Sequence, residues 1–370
     1  MTDGKTKKKI RVLIVEDSTF MRKVLQDIIA SDPQMEVAGH AKDGREAVAM
    51  AESLKPDVIA MDINMPRMDG LQASEMIMAS NPRPIVIVSS ESREGADSTL
   101  RALELGAIEF VAKPSSGIDL DMNDIREDLC RKLKMAAKVH VVRTASRPKA
   151  ALPRTPSKNA GAQAAPRSAP SDMRFPIVVL AASTGGPATV MRLVPGFTKD
   201  FPAAVLLVQH MPPSFTSQFA LQLTEFTNIR VKDAEQNEAL QPGCLYVCPG
   251  SQHLRITPAG RIQLDDTGRI GGYLPRIDIT METVAAYAGA MSIGAVLTGM
   301  GNDGAKGVQA IKAAGGLVLA QDEATSVIFG MPAEAIKTGA VDHVLGIDEI
   351  YPAIEKRVLG ICRATPAGVR

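Results

Sequence analysis

At 370 residues the chain exceeds what one small core usually organises and fits two domains on a scale of about 150 residues each. Hydrophobic residues make up 45% and charged residues 22%, the composition of a soluble globular protein with ample Val, Ile, Leu, Met and Ala for a core. A formal net charge of +1 excludes a broad field for nucleic acid or an anionic membrane, so any partner must be recognised locally.

Lys5 and Lys7 to Lys9 read as a solvated basic tail. No apolar run near the start is long enough for a signal peptide or a membrane span, and Cys130, Cys244, Cys248 and Cys362 are few and scattered. A cytoplasmic location without membrane insertion is therefore expected. Apolar runs at Val12–Val15, Glu36–Ala41, Val58–Met61, Ile85–Val88 and Ile108–Ala112 predict five strands. Between them, Met21, Val24, Leu25, Ile28 and Ile29 recur at helical spacing, and further helices are predicted over Glu46–Leu54, Leu71–Ala79, Ser98–Leu105 and Ile125–Lys138. Strand alternating with helix predicts an α/β, doubly wound, five-stranded parallel sheet over residues 10–138.

Such a sheet gathers the ends of its strands at one crevice, and with them Glu16, Asp17, Asp62 and Lys113. Three carboxylates repel one another unless a hard cation neutralises them, and oxygen ligands suit Mg²⁺. Lys113 offers a fixed positive charge to an incoming phosphoryl group, and Ser89 a hydroxyl to a phosphate oxygen. Val15-Glu16-Asp17-Ser18, Met61-Asp62-Ile63-Asn64-Met65-Pro66, Asp69-Gly70, Val88-Ser89-Ser90 and Ala112-Lys113-Pro114 together resemble the receiver domains of response regulators. The resemblance implies Asp62 as phosphoacceptor, with Asp17, Glu16 and the Asn64 carbonyl around Mg²⁺. It also implies Ser89, Phe110 and Lys113 as switch residues, and a histidine kinase as phosphodonor. Many receivers carry Asp where this chain has Glu16.

From Arg143 to Arg174 there are five prolines, seven basic residues and one acid, with Leu152 and Met173 the only large apolar side chains. Such a stretch cannot offset its ordering entropy, so residues 139–174 read as a flexible linker. Beyond it, Ile177–Leu180, Val205–Val208, Ala295–Leu297 and Leu317–Ala320 predict a second, mainly parallel α/β domain over residues 175–360. Leu254–Thr257 and Ile262–Leu264 flank Pro258-Ala259-Gly260-Arg261 and predict an inserted hairpin. Cys244 and Cys248 with His253 nearby suggest half a zinc site, but Cys-Leu-Tyr-Val-Cys reads better as a buried strand.

Ser183 follows the first of these strands in Ala182-Ser183-Thr184-Gly185-Gly186-Pro187, where a helix can begin near Pro187. By itself this is more simply a helix N-cap serine than a nucleophile. His210 ends the next strand in Gln209-His210-Met211-Pro212, and Asp303 follows a third in Thr298-Gly299-Met300-Gly301-Asn302-Asp303-Gly304. Three strand ends thus offer nucleophile, base and orienter, with backbone N–H groups at Thr184, Gly185 and Met300 as candidate oxyanion donors. A competing reading takes Gly299 to Gly304 as a G-x-G-x-x-G turn, with Asp322 after the next strand, and makes this a dinucleotide site. That reading leaves Ser183 and His210 without a role.

These motifs, with Pro275 and Asp278, Ala320-Gln321-Asp322-Glu323-Ala324-Thr325 and Phe329-Gly330-Met331-Pro332, resemble the methylesterase domain attached to receivers in bacterial chemotaxis. The resemblance implies hydrolysis of glutamate methyl esters on methyl-accepting chemotaxis receptors, with glutamine deamidation alongside and no cofactor for the hydrolysis. Ser183, His210 and Asp303 would be the catalytic residues. The chain has Ala181 where that family often has Gly, and Leu274-Pro275-Arg276-Ile277-Asp278 where Arg-Pro-Ser-Val-Asp is usual. The unphosphorylated receiver is expected to cover the hydrolase face and phosphorylation of Asp62 to release it. An alternative is a response regulator with a non-catalytic output domain that binds a protein or a nucleotide. No basic recognition helix supports DNA binding.

Overall fold

The structure is a computed structural model that describes residues 8–90, 92–113, 122–139 and 175–364. Nearly all of the expected linker, and Pro114, lie outside the described residues.

The first unit alternates strand and helix: β1 (Ile10–Val15), α1 (Thr19–Ala30), β2 (Met35–Ala41), α2 (Gly44–Leu54), β3 (Val58–Asp62), α3 (Gly70–Ser80), β4 (Ile85–Ser89), α4 (Arg93–Glu104), β5 (Glu109–Ala112) and α5 (Met122–Ala136). The strands form a sheet in the order β2-β1-β3-β4-β5 with every neighbouring pair parallel. Runs such as Val58–Asp62 are buried along their whole length because helices cover both faces of a parallel sheet. Helix α4 begins at Arg93, earlier than the predicted Ser98. Gly95 makes its first turn read as loop, but the Ser92 hydroxyl caps it by accepting the Gly95 N–H at 3.1 Å.

The second unit comprises β6 (Ile177–Ala182), α6 (Gly186–Leu193), β7 (Ala204–Gln209), α7 (Pro213–Leu223), β8 (Arg230–Asp233), β9 (Cys244–Val247), β10 (His253–Ile256), β11 (Ile262–Asp265), α8 (Ile277–Ala288), β12 (Ser292–Val296), α9 (Ala305–Ala313), β13 (Leu317–Gln321), α10 (Met331–Lys337), β14 (His343–Leu345) and α11 (Ile347–Ala364). Its seven-stranded sheet runs β14-β13-β12-β6-β7-β9-β8, and every neighbouring pair is parallel. The hairpin β10–β11 stands apart as its own antiparallel pair. Strands β8 and β14 were not expected. They are the two edges of the sheet, where polar residues such as Arg230, Lys232 and His343 break the apolar runs that betray a buried strand.

The chain leaves β6 on one side toward β7 and later returns on its other side to β12, so the sheet has its switch point beside β6. The two units share one continuous apolar core in which Ile87, Leu100 and Phe110 join Phe215 and Phe219. Helix α4 packs on α6 and α7.

Candidate active site

The switch point brings Ser183, His210 and Asp303 to one end of the second sheet. Parallel register pairs Ala182 with Gln209, which sets the next residues, Ser183 and His210, side by side, and the His210 N–H donates to Ala182 O at 3.0 Å. On the other flank Leu297 N–H bonds to Ala181 O at 2.8 Å, and the chain runs on to Asp303. His210 Nε2 lies 2.9 Å from Asp303 Oδ2. That carboxylate also accepts the N–H groups of Ile277 (2.8 Å), Asp278 (3.0 Å) and Gly304 (3.1 Å). Burial alone would raise the Asp303 pKa, but the hydrogen bond and charge of His210 and the backbone donors outweigh it and hold the group below its ordinary value. An ionised carboxylate only accepts, so the proton sits on His210 Nε2 and leaves Nδ1 as the basic nitrogen. Among the described residues no hydrogen bond joins the Ser183 hydroxyl to His210, a looseness common in resting hydrolases.

The N-cap of α6 is Gly185, with φ of 73°, and not Ser183. The serine is partly exposed and stands before the helix, so the N-cap reading is corrected. Gly299 lacks the side chain that would collide with Ser183, since a Cβ there would fall 2.8 Å from Ser183 Cβ. Among the described residues no acceptor takes the N–H of Thr184, Gly185, Met300 or Gly301, whereas that of Gly186 is committed to Ser183 O at 2.8 Å. Free donors therefore lie on both sides of the serine.

Residues outside the predicted set hold this geometry. The buried Gln209 amide donates to Ser183 O (2.8 Å) and His210 O (3.0 Å), tying the two strand ends together. Gln321 accepts from Thr298 N–H at 2.8 Å and donates to Thr325 O at 2.9 Å. Each is the buried last residue of an apolar strand, β7 or β13, and a polar residue closing such a run is the signal that could have found them. Asp278 Oδ1 accepts the N–H groups of Gly304 (2.9 Å), Lys306 (3.0 Å) and Gly307 (2.9 Å) at the start of α9, and its Oδ2 takes Arg276 Nη2 at 3.0 Å. A dinucleotide pyrophosphate would need those same N–H groups. Asp322, the intended ribose ligand, is committed to the Thr325 N–H at 2.9 Å and its hydroxyl at 2.6 Å. The nucleotide reading fails on both counts.

The zinc reading fails too. His253 Nδ1 accepts Arg276 N–H at 3.0 Å and its Nε2 meets Gly268 O at 2.7 Å, while burial pushes the Cys248 thiol up to about 12.

In the first sheet, Glu16, Asp17 and Asp62 place carboxylate oxygens within 4.8 Å of one another. Lys113 Nζ bridges Glu16 Oε2 and Asp62 Oδ1, each at 2.9 Å. Burial, then the charge of Asp62, raises the Glu16 pKa, and burial raises that of Asp62 against the pull of Lys113. Burial would lower the Lys113 pKa, but both carboxylates outweigh it and raise it. Three carboxylates facing one ammonium leave excess negative charge, and this donor set fits a hard divalent cation. Asn64 lies exposed at the rim, and its N–H supports the Asp62 carboxylate. The Ser89 hydroxyl donates to Gly95 O at 3.2 Å, and Phe110 is buried against Phe215 of the second unit with ring centroids 4.3 Å apart.

Two family models match: the response regulator receiver domain over residues 12–123 and the CheB methylesterase over residues 178–354. A protein-glutamate methylesterase/protein-glutamine glutaminase of Pyrococcus horikoshii is 45% identical, over 95% of this chain and 94% of its own. Its counterpart in Symbiobacterium thermophilum is 42% identical, over 96% of this chain and 98% of its own. The chain belongs to the CheB methylesterase family. The crystal structure of the Thermotoga maritima CheB methylesterase catalytic domain matches at 38% identity with a TM-score of 0.48, covering 49% of this chain and 98% of that one.

Two departures from the usual CheB sequence now have a place. Ala181 is fully buried inside β6 and the turn is made by the glycines after Ser183, so its methyl group packs in the core. Arg276 stands where Ser is usual and pairs with Asp278, and its Nε lies 3.9 Å from Asp303 Oδ1. No helix among the described residues is long and apolar enough to cross a membrane.

Proposed function

We propose that this chain hydrolyses glutamate methyl esters on methyl-accepting chemoreceptors, deamidates glutamine side chains, and is switched by phosphorylation of its receiver, as a cytoplasmic enzyme of chemotaxis adaptation. The observation that carries this is the β6–β7 register, which sets Ser183 beside His210 with Asp303 on the far nitrogen of the imidazole. His210 Nδ1 takes the proton of Ser183 as its oxygen attacks the γ-carbonyl, and the resulting oxyanion lies toward the N–H groups of Thr184, Gly185 and Met300. His210 then returns the proton to the leaving methoxide, releasing methanol, or to the leaving amide, releasing ammonia. Water, with His210 again as base, frees the glutamate from the serine. No cofactor is required for these steps. General base assistance supplies only about 10²–10⁴ in rate, so the oxyanion donors carry much of the remainder.

In the receiver, Asp62 is the phosphoacceptor. Glu16, Asp17, Asp62 and the Asn64 carbonyl would hold Mg²⁺, which would neutralise charge as a histidine kinase donates its phosphoryl group. Lys113 and Ser89 then bind the phosphoryl oxygens, and Phe110 follows Ser89. The resting receiver restrains the hydrolase, a reading supported by Phe110 against Phe215 and by Arg131 Nη1 at 3.7 Å from Met300 Sδ, beside the candidate oxyanion site.

Methanol release from methylated receptor membranes, with and without a small phosphodonor, tests both parts. Ser183→Ala should abolish release and Asp62→Ala should abolish its stimulation. Undiminished release by Ser183→Ala would overturn the hydrolase assignment, and normal stimulation of Asp62→Ala would overturn the switch.

A further inference from the structure

One in-plane hydrogen bond, from Nε2 to Asp303, leaves the imidazole of His210 free to pivot about that bond. Its base function needs the ring plane fixed, so that Nδ1 can be brought to the Ser183 hydroxyl during the reaction. The Tyr273 ring lies over the imidazole in an offset stack, with centroids 5.1 Å apart and planes 20° from parallel.

The turn that carries Tyr273 is tightly built. Gly271 and Gly272, with φ of 62° and 89°, form a two-residue turn closed by Ile270 N–H to Tyr273 O (3.0 Å) and Tyr273 N–H to Ile270 O (3.3 Å). Arg276 Nη1 braces it by donating to Ile270 O at 3.2 Å. At its other end the Tyr273 hydroxyl donates to Asn302 Oδ1 at 3.3 Å and accepts the Asn302 N–H at 3.4 Å. Gly301 makes room for it, since a Cβ there would fall 2.3 Å from the hydroxyl oxygen. One side chain thus touches the base with its face and the loop that carries Asp303 with its tip.

We propose that Tyr273 is a positioning residue for His210, its ring fixing the imidazole plane and favouring the charged ring that forms when the serine proton is taken up. The proposal rests on the serine hydrolase reading above. Loss of the ring removes a restraint used in the transition state more than in substrate binding, which predicts a fall in kcat at constant KM.

The test uses the full chain, activated by a small phosphodonor, as wild type, Tyr273→Phe, Tyr273→Leu and Ser183→Ala. Methanol release from methylated receptor membranes is followed together with the NMR signals of the His210 ring protons. Tyr273→Phe should keep kcat within about twofold and retain the upfield ring-current shift. Tyr273→Leu should lose that shift and lower kcat about tenfold, with KM unchanged. Equal losses in both variants would give the role to the hydroxyl and overturn the proposal, as would wild-type kcat in Tyr273→Leu or a change confined to KM. Activity retained by Ser183→Ala would instead overturn the hydrolase reading, while the ring-current shift would still report the stack.

Discussion

Asp303 meets four donors with two oxygens: His210 Nε2 and the N–H groups of Ile277, Asp278 and Gly304. An asparagine cannot satisfy this arrangement, because its amide would face donors with a donor and favour the wrong tautomer of His210. Asp303→Asn should lower kcat about 10³–10⁴-fold with little change in KM, measured as methanol release. The same substitution carries a pH signature. The folded Asp303 pKa lies below the ordinary 3.8, so its ionisation adds stability that is fully present above that value and is lost as pH falls through the lower folded one. The wild type should therefore melt above Asp303→Asn at neutral pH, and the gap should close below about pH 4. A constant gap down to pH 2 would mean that packing, not charge, sets the difference.

At the scale of elements, the strand ends place the chemistry and Gln209 locks two of them together. Gln209→Glu keeps the volume but points carboxylate oxygens at the carbonyls of Ser183 and His210, replacing two donors with acceptors in a buried place. It should lower both the melting temperature and kcat, the latter about 100-fold, and unchanged values of both would refute the clamp. The predicted strand ends were readable because a parallel sheet buried on both faces needs continuous apolar runs, and the polar residue after each run must lie at the crevice. Ser183, His210, Glu16, Asp17, Asp62 and Lys113 follow that logic, while Asp303 lies further along the loop between β12 and α9. Edge strands β8 and β14 obey no such rule. Asp278 was visible as part of a motif, but its capping of α9 depends on a loop folding back across many residues, which periodicity does not record. Tyr273 was illegible for the same reason: its contacts, His210 and Asn302, lie far from it along the chain.

At the scale of the whole molecule, the two units share a core, and their contact runs from a buried receiver residue to the rim of the hydrolase. Phe110, whose carbonyl accepts Lys132 Nζ at 2.7 Å, packs on Phe215 of α7, while Gln218 of the same helix donates to Asp97 at 3.0 Å. The exposed polar pair contributes little, so under the receiver restraint proposed above the aromatic contact should dominate the balance between a closed and an open arrangement. An aromatic pair is worth roughly 0.5–1.5 kcal/mol beyond its buried area, and about 1.4 kcal/mol is tenfold in an equilibrium. Phe215→Leu keeps an apolar side chain in the hydrolase but loses the ring pair. Under that proposal the closed form dominates at rest, and basal methanol release should rise about three- to tenfold. The phosphodonor-stimulated rate should stay near the wild-type value, because the open enzyme no longer uses this contact, so the stimulation ratio should shrink by the same factor. A basal rate that stays flat while the domain contact demonstrably loosens, seen as faster proteolysis between the units, would separate domain packing from restraint of the active site.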